Sequence, residues 1–176
     1  MTDSPPSHPA LTAPFRVGHG FDLHRLEVGR PMIVGGVKLE HDRGPAGHSD
    51  GDVVYHAVTD ALLGAIGAED IGQLFPDDDP RWRDSDSTVF VAEAARRVAD
   101  AGYLVGNLDV TVICQRPKIS PHKAAMRDNL ARLLGKPSAD VNIKAKTHEN
   151  VDAVGEGRAI SCHVVALLNR RPDRAE

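Results

Sequence analysis

The sequence is poor in aromatic side chains and in positive charge. Its 176 residues include 4 Phe, 2 Tyr and 1 Trp, and 21 basic residues against 25 acidic ones give a net charge of −4. Proteins that bind nucleic acid usually present a basic surface interleaved with stacking aromatic rings. We therefore expect no nucleic-acid partner.

Long apolar runs and paired cysteines are also missing. No stretch approaches the roughly 18 apolar residues that a membrane-spanning helix requires, and the Pro- and Ser-rich N-terminus does not follow a signal-peptide pattern. The two cysteines, Cys114 and Cys162, lie in apolar runs without zinc-site spacing. Buried, reduced cysteines are typical of cytosolic proteins, so we expect no membrane partner and a cytoplasmic location.

What is present is the composition of one globular domain. With 41% hydrophobic and 26% charged residues, the chain is long enough for a single core. Residues 1–14 contain four prolines and no periodicity, which predicts a flexible tail, and residues 169–176 predict a charged tail. The folded domain is expected between them, at residues 15–168.

The hydrophobic pattern predicts both strands and helices. The first strand is expected from Phe15 to Val17, with a break at Gly18 and Gly20 where a bulge or a close backbone approach is expected. The other predicted elements are strands at 31–34, 37–39, 104–114, 141–147 and 160–168, helices at 53–67, 85–101 and 120–134, and loops at 41–45 and 147–158. This order indicates an α+β fold, a single domain with a mixed β-sheet and helices packed on one side.

One candidate metal site follows from residue spacing. In an extended segment Asp22 and His24 point to the same side, and Asp52, His56 and Asp60 are spaced to share a helix face. Asp22, His24 and His56 would supply three zinc ligands and leave one coordination position open, with Asp60 as a supporting residue. The alternative is that Asp22 caps a turn and the histidines simply pack in the core.

Two other segments carry weaker signals. Lys146, Thr147 and Glu149 combine a cation, a hydroxyl and a carboxylate, which suits phosphate contacts and a Mg²⁺ ligand, although such runs are usually solvated. Residues 69–82 form a long acidic connection that is either a binding loop or a solvated loop.

Four motifs in this order together resemble one known family. They are Gly18-His19-Gly20-Phe21-Asp22-Leu23-His24, Gly47-His48-Ser49-Asp50-Gly51-Asp52, Asp70-Ile71-Gly72 with Phe75-Pro76-Asp77, and Gln115-Arg116-Pro117-Lys118. Over about residues 15–168 the sequence is similar to the 2-C-methyl-D-erythritol 2,4-cyclodiphosphate synthase family.

The resemblance implies an enzyme of the non-mevalonate isoprenoid precursor pathway, a phosphorus–oxygen lyase. Its substrate would be 4-diphosphocytidyl-2-C-methyl-D-erythritol 2-phosphate, whose 2-phosphate attacks the β-phosphorus to form the cyclic diphosphate and release CMP. Positioning and charge neutralisation dominate such a step. The implied cofactors are one Zn²⁺ per active site, on Asp22, His24 and His56, and a Mg²⁺ or Mn²⁺ that Glu149 holds across the substrate diphosphate.

The resemblance also implies roles for other residues. His48 and Thr147 would stabilise the transition state, and Ser49 would hold the erythritol phosphate. The methylerythritol pocket would be formed by Asp70, Ile71, Gly72, Phe75, Pro76, Asp77, Asp78 and Asp79. The nucleotide would be bound by Cys114, Gln115, Arg116, Pro117, Lys118, Ile119, Ser120, Ala145, Lys146 and His148. The family implies a homotrimer with active sites between subunits.

The sequence departs from the family pattern in two places. Where the family commonly has Phe-Thr-Gly-Arg-Gly-Glu-Gly, residues 153–159 read Ala-Val-Gly-Glu-Gly-Arg-Ala. The aromatic ring is gone and Arg and Glu have changed places, which argues against a trimer cavity that binds an isoprenoid diphosphate. The family's Thr-Thr-Thr-Glu is here Lys146-Thr147-His148-Glu149.

Two rival functions remain open from the sequence. A zinc phosphohydrolase could use the same Asp/His/His site to activate water, and would release open phosphates. A non-catalytic, metal-stabilised trimer could bind isoprenoid diphosphates, although residues 153–159 argue against it.

Overall fold

The computed structural model describes residues 13–76 and 78–172. The tail predictions for 1–12 and 173–176, and the role predicted for Asp77, lie outside them. The strands are β1 (Phe15–Val28), β2 (Met32–Val34), β3 (Val37–Leu39), β4 (Arg43–Pro45), β5 (Tyr103–Ile113), β6 (Val141–Lys146) and β7 (Ala159–Arg170). The helices are α1 (Val53–Ala65), α2 (Ile71–Leu74), α3 (Thr88–Asp100), α4 (Lys123–Leu133) and α5 (Asp152–Gly155).

The main sheet is mixed, with the strand order β4-β1-β7-β5-β6. β7 pairs antiparallel with both β1 and β5, and β5 pairs parallel with β6. β1, β5 and β6 therefore run in one direction and end at the same edge of the sheet. β2 and β3 form a separate two-stranded hairpin.

The helices cover one face of this sheet, as predicted. Alternate side chains of a strand point to opposite faces, and in β7 the even-numbered positions from Ile160 to Leu168 are buried while His163 and Val165 on the other face are exposed. In the paired strands the same register buries Leu108 and Val110 of β5 and Ile143 of β6. The core lies between this face and helices α1, α3 and α4, and the α+β single-domain prediction is confirmed.

The predicted break at Gly18 and Gly20 is wrong, because β1 continues through both residues to Val28. The close backbone approach is confirmed. A Cβ on Gly18 would lie 1.8 Å from the Ala61 carbonyl oxygen, and one on Gly20 would lie 1.8 Å from the Ala57 carbonyl oxygen. The glycines let α1 pack directly on the backbone of β1.

Three segment boundaries also differ from the predictions. Part of the expected loop at 41–45 pairs with β1 as β4, and the last strand extends past Leu168 to Arg170. The expected loop at 147–158 contains the one-turn helix α5. Short elements like these lack the length that makes a periodic pattern readable. None of the helices in the described ranges is long and apolar enough to cross a membrane.

The carboxylate of Asp52 caps α1 instead of sharing a face with His56. It is fully buried and accepts N–H groups from Val54 and Tyr55 at the helix start. It also accepts the N–H groups of Gly35 and Gly36, at 2.9 and 2.6 Å, in the β2–β3 turn. Asp52 thereby ties the hairpin to the helix that carries His56.

Candidate metal centre and substrate cavities

Two elements of the core bring the predicted metal ligands together. Asp22 and His24 lie two residues apart on β1 and face α1, and His56 lies in the first turns of that helix. The close approach at Gly20 sets the short distance between the strand and the helix. The spacing on β1 therefore positions Asp22 and His24, and the packing of α1 on β1 brings His56 to them.

Three ligand atoms converge on one point. His24 Nε2 lies 2.9 Å from Asp22 Oδ2 and 3.0 Å from His56 Nδ1, and His56 Nδ1 lies 3.1 Å from Asp22 Oδ2. The edge of a tetrahedron with zinc–ligand bonds of about 2.0 Å is roughly 3.3 Å. Within the described residues this is the one cluster of three His, Cys, Asp or Glu side chains with metal-binding geometry.

Hydrogen bonds outside the cluster orient both imidazole rings. His24 Nδ1 lies 2.7 Å from the Ala46 carbonyl oxygen, which can only accept, so Nδ1 carries a proton and Nε2 is the nitrogen that can bind a metal. His56 Nε2 faces the hydroxyl oxygens of Ser49 at 3.2 Å and Ser87 at 3.0 Å. Metal-binding histidines usually hold their second nitrogen in this way.

The charge distribution also suits a cation. Burial raises the pKa of the Asp22 carboxyl, but hydrogen bonds from His24 and His56 offset it and hold that pKa well below its usual range. Burial lowers the pKa of His24, and the hydrogen bond and charge of Asp22 more than restore it, so the net shift is upward. Two nitrogens and an ionised carboxylate are a donor set that zinc accepts, and the residues present fit the ion.

The cluster opens into a cavity of about 320 Å³. His48 and Ser49 line it, as do Ile71, Gly72 and Phe75 from the 69–82 connection. That connection therefore forms a wall of the cavity, which favours the binding-loop interpretation over a purely solvated loop.

Sequence reasoning missed two aromatic members of this wall. Trp82 and Phe90 line the cavity beside Phe75, with ring centroids 4.6–5.9 Å apart, and Phe90 lies 5.8 Å from the His56 ring. The signal that could have found them is the scarcity of aromatics elsewhere, because three of the few rings gather here.

Asp60, Asp70 and Asp79 have local structural contacts. Asp60 Oδ1 accepts the Ile71 N–H at 2.8 Å, and burial raises its pKa. Asp70 caps α2, and Asp79 caps a 3₁₀ turn and pairs with Arg81. Four of the predicted pocket residues are not among those that line this cavity: Asp70, Pro76, Asp78 and Asp79.

A second cavity, of about 370 Å³, contains most of the predicted nucleotide residues. It lies where β5 and β6 end, and burial raises the pKa of its Cys114 thiol to about 11. The lining residues are Cys114, Gln115, Lys118, Ile119, Ser120, Pro121, Ala145, Lys146 and Thr147.

Three predicted nucleotide residues lie outside that lining. Arg116 and Pro117 are joined by a cis peptide bond, and Arg116 borders a different cavity. His148 Nδ1 lies 2.9 Å from Asp152 Oδ2, and the backbone N–H of His148 donates to Gln115 Oε1.

Thr147 and Glu149 are on the side of the second cavity. Thr147 Oγ1 donates to Glu149 Oε1 at 2.9 Å, and Glu149 has a φ of +49°. The two cavities share no lining residue. They lie at the same edge of the sheet with β7 and β5 between β1 and β6, a width of about 14 Å at the usual strand spacing.

One known protein family matches nearly the whole of the described chain. A family model described as the YgbB family matches residues 15–169. The chain belongs to the YgbB family. It is 59% identical over 163 residues to the chloroplastic 2-C-methyl-D-erythritol 2,4-cyclodiphosphate synthase of Arabidopsis thaliana, covering 93% of this chain and 71% of the relative.

Other YgbB relatives agree. The synthase of Bordetella avium is 54% identical over 161 residues, covering 92% of this chain and 99% of the relative. The fold is similar to a CDP complex of IspF from Plasmodium falciparum, with a TM-score of 0.79, 35% identity, and coverage of 89% of this chain and 97% of that one. The family match at residues 15–169 spans the residues that line both cavities.

Proposed function

We propose that the chain converts 4-diphosphocytidyl-2-C-methyl-D-erythritol 2-phosphate into 2-C-methyl-D-erythritol 2,4-cyclodiphosphate and CMP, in the non-mevalonate isoprenoid precursor pathway. The observation that carries the proposal is the convergence of Asp22, His24 and His56 beside a cavity lined by the family motifs. Membership of the YgbB family and relatives named for this synthase support it.

The reaction is an intramolecular phosphoryl transfer. An oxygen of the 2-phosphate forms a bond to the β-phosphorus, the bond from the β-phosphorus to the bridging oxygen breaks, and CMP leaves with that oxygen and its electron pair. Little covalent work is left to the protein, which holds the two phosphates in line and neutralises their charge.

Zinc is the metal that the first cluster fits. Asp22, His24 and His56 would hold it and leave one position open toward the cavity. When bound, it supplies a Lewis acid that draws charge from a phosphate oxygen.

His48 and Ser49 carry the contacts on the zinc side of the substrate. Both line the metal-ligand cavity, where the reacting phosphate and the erythritol 2-phosphate would lie. Ile71, Gly72 and Phe75 enclose the methylerythritol carbon chain. Asp70 and Asp79 cap turns of that connection, and the substrate contacts of Asp70, Pro76, Asp77, Asp78 and Asp79 stay a prediction.

The nucleotide side is the second cavity. Lys118 and Lys146 offer cations to the diphosphate, while Cys114, Gln115, Ile119, Ser120 and Ala145 surround the cytidine. Thr147 is the second transition-state residue, and Glu149 would hold Mg²⁺ or Mn²⁺, for which a carboxylate plus substrate phosphate oxygens is a common ligand set. The nucleotide contacts of Arg116, Pro117 and His148 stay a prediction.

A homotrimer with active sites between subunits would join the two halves. The sheet face opposite the helices supports an assembly because it exposes a large apolar surface to solvent, which monomeric proteins seldom do. Its exposed residues are Phe15, Val17, Phe21, Leu23 and Val165. A cytoplasmic location, with no nucleic-acid or membrane partner, stays a prediction.

The test is incubation of the purified protein with the CDP substrate, Zn²⁺ and Mg²⁺, followed by ³¹P NMR. We expect the two coupled resonances of a cyclic diphosphate together with CMP. Open phosphates alone would instead support the zinc phosphohydrolase. An unchanged substrate spectrum, with the protein binding only isoprenoid diphosphates, would support the non-catalytic trimer.

A further inference from the structure

Ser87 is a buried hydroxyl at the start of α3 that does not cap its helix. A serine at this position usually accepts an N–H of the first helical turn, but Ser87 makes no such bond. Asp86 Oδ1 accepts the Thr88 N–H instead, at 2.8 Å. The side chain of Ser87 is fully buried, so its hydroxyl is committed elsewhere.

Ser87 donates two hydrogen bonds to Asp50. Ser87 Oγ donates to Asp50 Oδ1 at 2.5 Å, and the Ser87 N–H donates to Asp50 Oδ2 at 3.1 Å. Asp50 is itself fixed, since its Oδ1 accepts the Asp52 N–H and its own N–H donates to the Ser85 carbonyl oxygen. The hydrogen of the Ser87 hydroxyl therefore points at a carboxylate, and its lone pairs point away from it.

Those lone pairs face the metal-ligand cluster. Ser87 Oγ lies 3.0 Å from His56 Nε2. An oxygen whose only hydrogen is already donated can act only as an acceptor, so His56 Nε2 carries a proton. Nδ1 is then the ring nitrogen left for a metal, and it is the one that faces Asp22 and His24.

Ser49 is a competing partner for the same nitrogen. Its Oγ lies 3.2 Å from His56 Nε2 and accepts the Gly51 N–H at 3.2 Å, so its hydroxyl hydrogen is free to point toward Nε2. If it did, the proton would move to Nδ1 and the ring could no longer offer a ligand to the cluster. Ser87 with Asp50 decides between the two tautomers.

We propose that Ser87 and Asp50 are positioning residues of the metal centre, which fix His56 as the tautomer protonated at Nε2 and so keep Nδ1 available to the metal. This inference rests on the proposed metal site, and neither residue touches the substrate in it. Loss of such an outer contact typically weakens metal binding 10- to 100-fold, and we expect Ser87→Ala to raise the Kd for zinc about tenfold.

The first measurement needs no metal. Long-range ¹H–¹⁵N correlation spectra of the metal-free protein report which ring nitrogen of a histidine carries the proton. We expect His56 Nε2 to carry a proton in the wild type, and Ser87→Ala to leave that nitrogen unprotonated in a fraction of the molecules. Ser85→Ala is the matched control, because it removes a hydroxyl two residues away that bonds only to the Arg81 carbonyl oxygen.

The second measurement is zinc affinity by competition with a chromophoric chelator, in the same three proteins. We expect the weaker binding in Ser87→Ala alone. Asp50→Asn, which removes the charge that orders the hydroxyl, should also weaken zinc binding and serves if Ser87→Ala does not fold. Unchanged tautomer and affinity in the folded variants would overturn the inference alone. Absence of zinc binding by the wild type would overturn the metal centre, and this inference with it.

Discussion

At the scale of single residues, the two histidines of the cluster use different nitrogens for the same purpose. His24 presents Nε2 because its Nδ1 donates to Ala46, and His56 presents Nδ1 because its Nε2 faces two serine hydroxyls. The ligand atoms are therefore ready before any ion binds. We therefore expect removal of the ion to leave the geometry of the cluster intact, whereas removal of a ligand side chain should abolish metal binding.

His56→Ala is the residue-scale test of that site. We expect it to abolish zinc retention and turnover and to leave the fold largely intact, because His56 lines a cavity and its ring nitrogens are held by polar contacts. Metal content by atomic absorption, activity and circular dichroism check this. His41→Ala, a half-buried histidine on the connection before β4, should keep both metal and activity. Full activity in zinc-free His56→Ala would refute the assignment.

The sequence predicted this cluster well and its surroundings poorly. Asp22, His24 and His56 lie in short motifs whose spacing sets their direction. The contact between Asp50 and Ser87 joins residues 37 positions apart, and nothing periodic links them. Trp82 reaches the cavity from the turn of an irregular connection and Phe90 from the first turn of α3, and both positions depend on tertiary packing.

At the scale of elements, the position of α1 on β1 controls the metal-ligand geometry. In Gly20→Ala the new Cβ would overlap the Ala57 carbonyl oxygen at 1.8 Å, and because that atom is backbone the helix must move. We expect a loss of about 3 kcal/mol in the free energy of unfolding, at the upper end for overpacking, and weaker zinc binding. Chemical denaturation and chelator competition measure the two effects.

Gly64→Ala is the control for that substitution. Gly64 is an exposed residue of α1 whose added Cβ would have one neighbour, at 4.0 Å. We expect a gain of up to about 1 kcal/mol, as for glycine in a helix interior, and unchanged zinc affinity. Equal effects of the two substitutions would contradict the close-packing argument.

Substitution of Asp52 tests the attachment of α1 to the β2–β3 hairpin. Asp52→Ala would leave N–H groups of Gly35, Gly36, Val54 and Tyr55 without their acceptor in a buried site. Loss of a helix cap together with buried unsatisfied donors should cost about 3 kcal/mol. Thermal unfolding would measure it. Asp100→Ala, an exposed carboxylate at the end of α3, should change stability by under about 0.5 kcal/mol.

At the scale of the whole molecule, the sheet face opposite the helices exposes apolar side chains that the fold of a single chain does not cover. We expect Val17→Asp, at a position 59% exposed on that face, to shift the protein from trimer to monomer, because it would bury a charge in the interface. Light scattering after gel filtration gives the mass. Val89→Asp, 43% exposed on α3, should stay trimeric. A wild type that is already monomeric would contradict the assembly.

The proposed trimer also predicts which pairs of inactive variants should restore activity when they are refolded together. His56 belongs to the metal-ligand cavity and Glu149 to the side of the second cavity, so His56→Ala and Glu149→Ala should each be inactive through opposite halves of the site. If every active site joins two subunits, co-refolding the two variants in equal amounts should restore about a quarter of the wild-type activity, since that fraction of interfaces pairs two intact halves.

Matched mixtures separate this arrangement from sites within one chain. His56→Ala co-refolded with Asp22→Ala should stay inactive, because both variants damage the metal-ligand half and no subunit supplies an intact one. If each site instead lay within a single chain, across the width of β7 and β5, then His56→Ala with Glu149→Ala would stay inactive as well, since no chain carries both halves. Recovery in the first mixture and none in the second is the result that the proposed trimer requires.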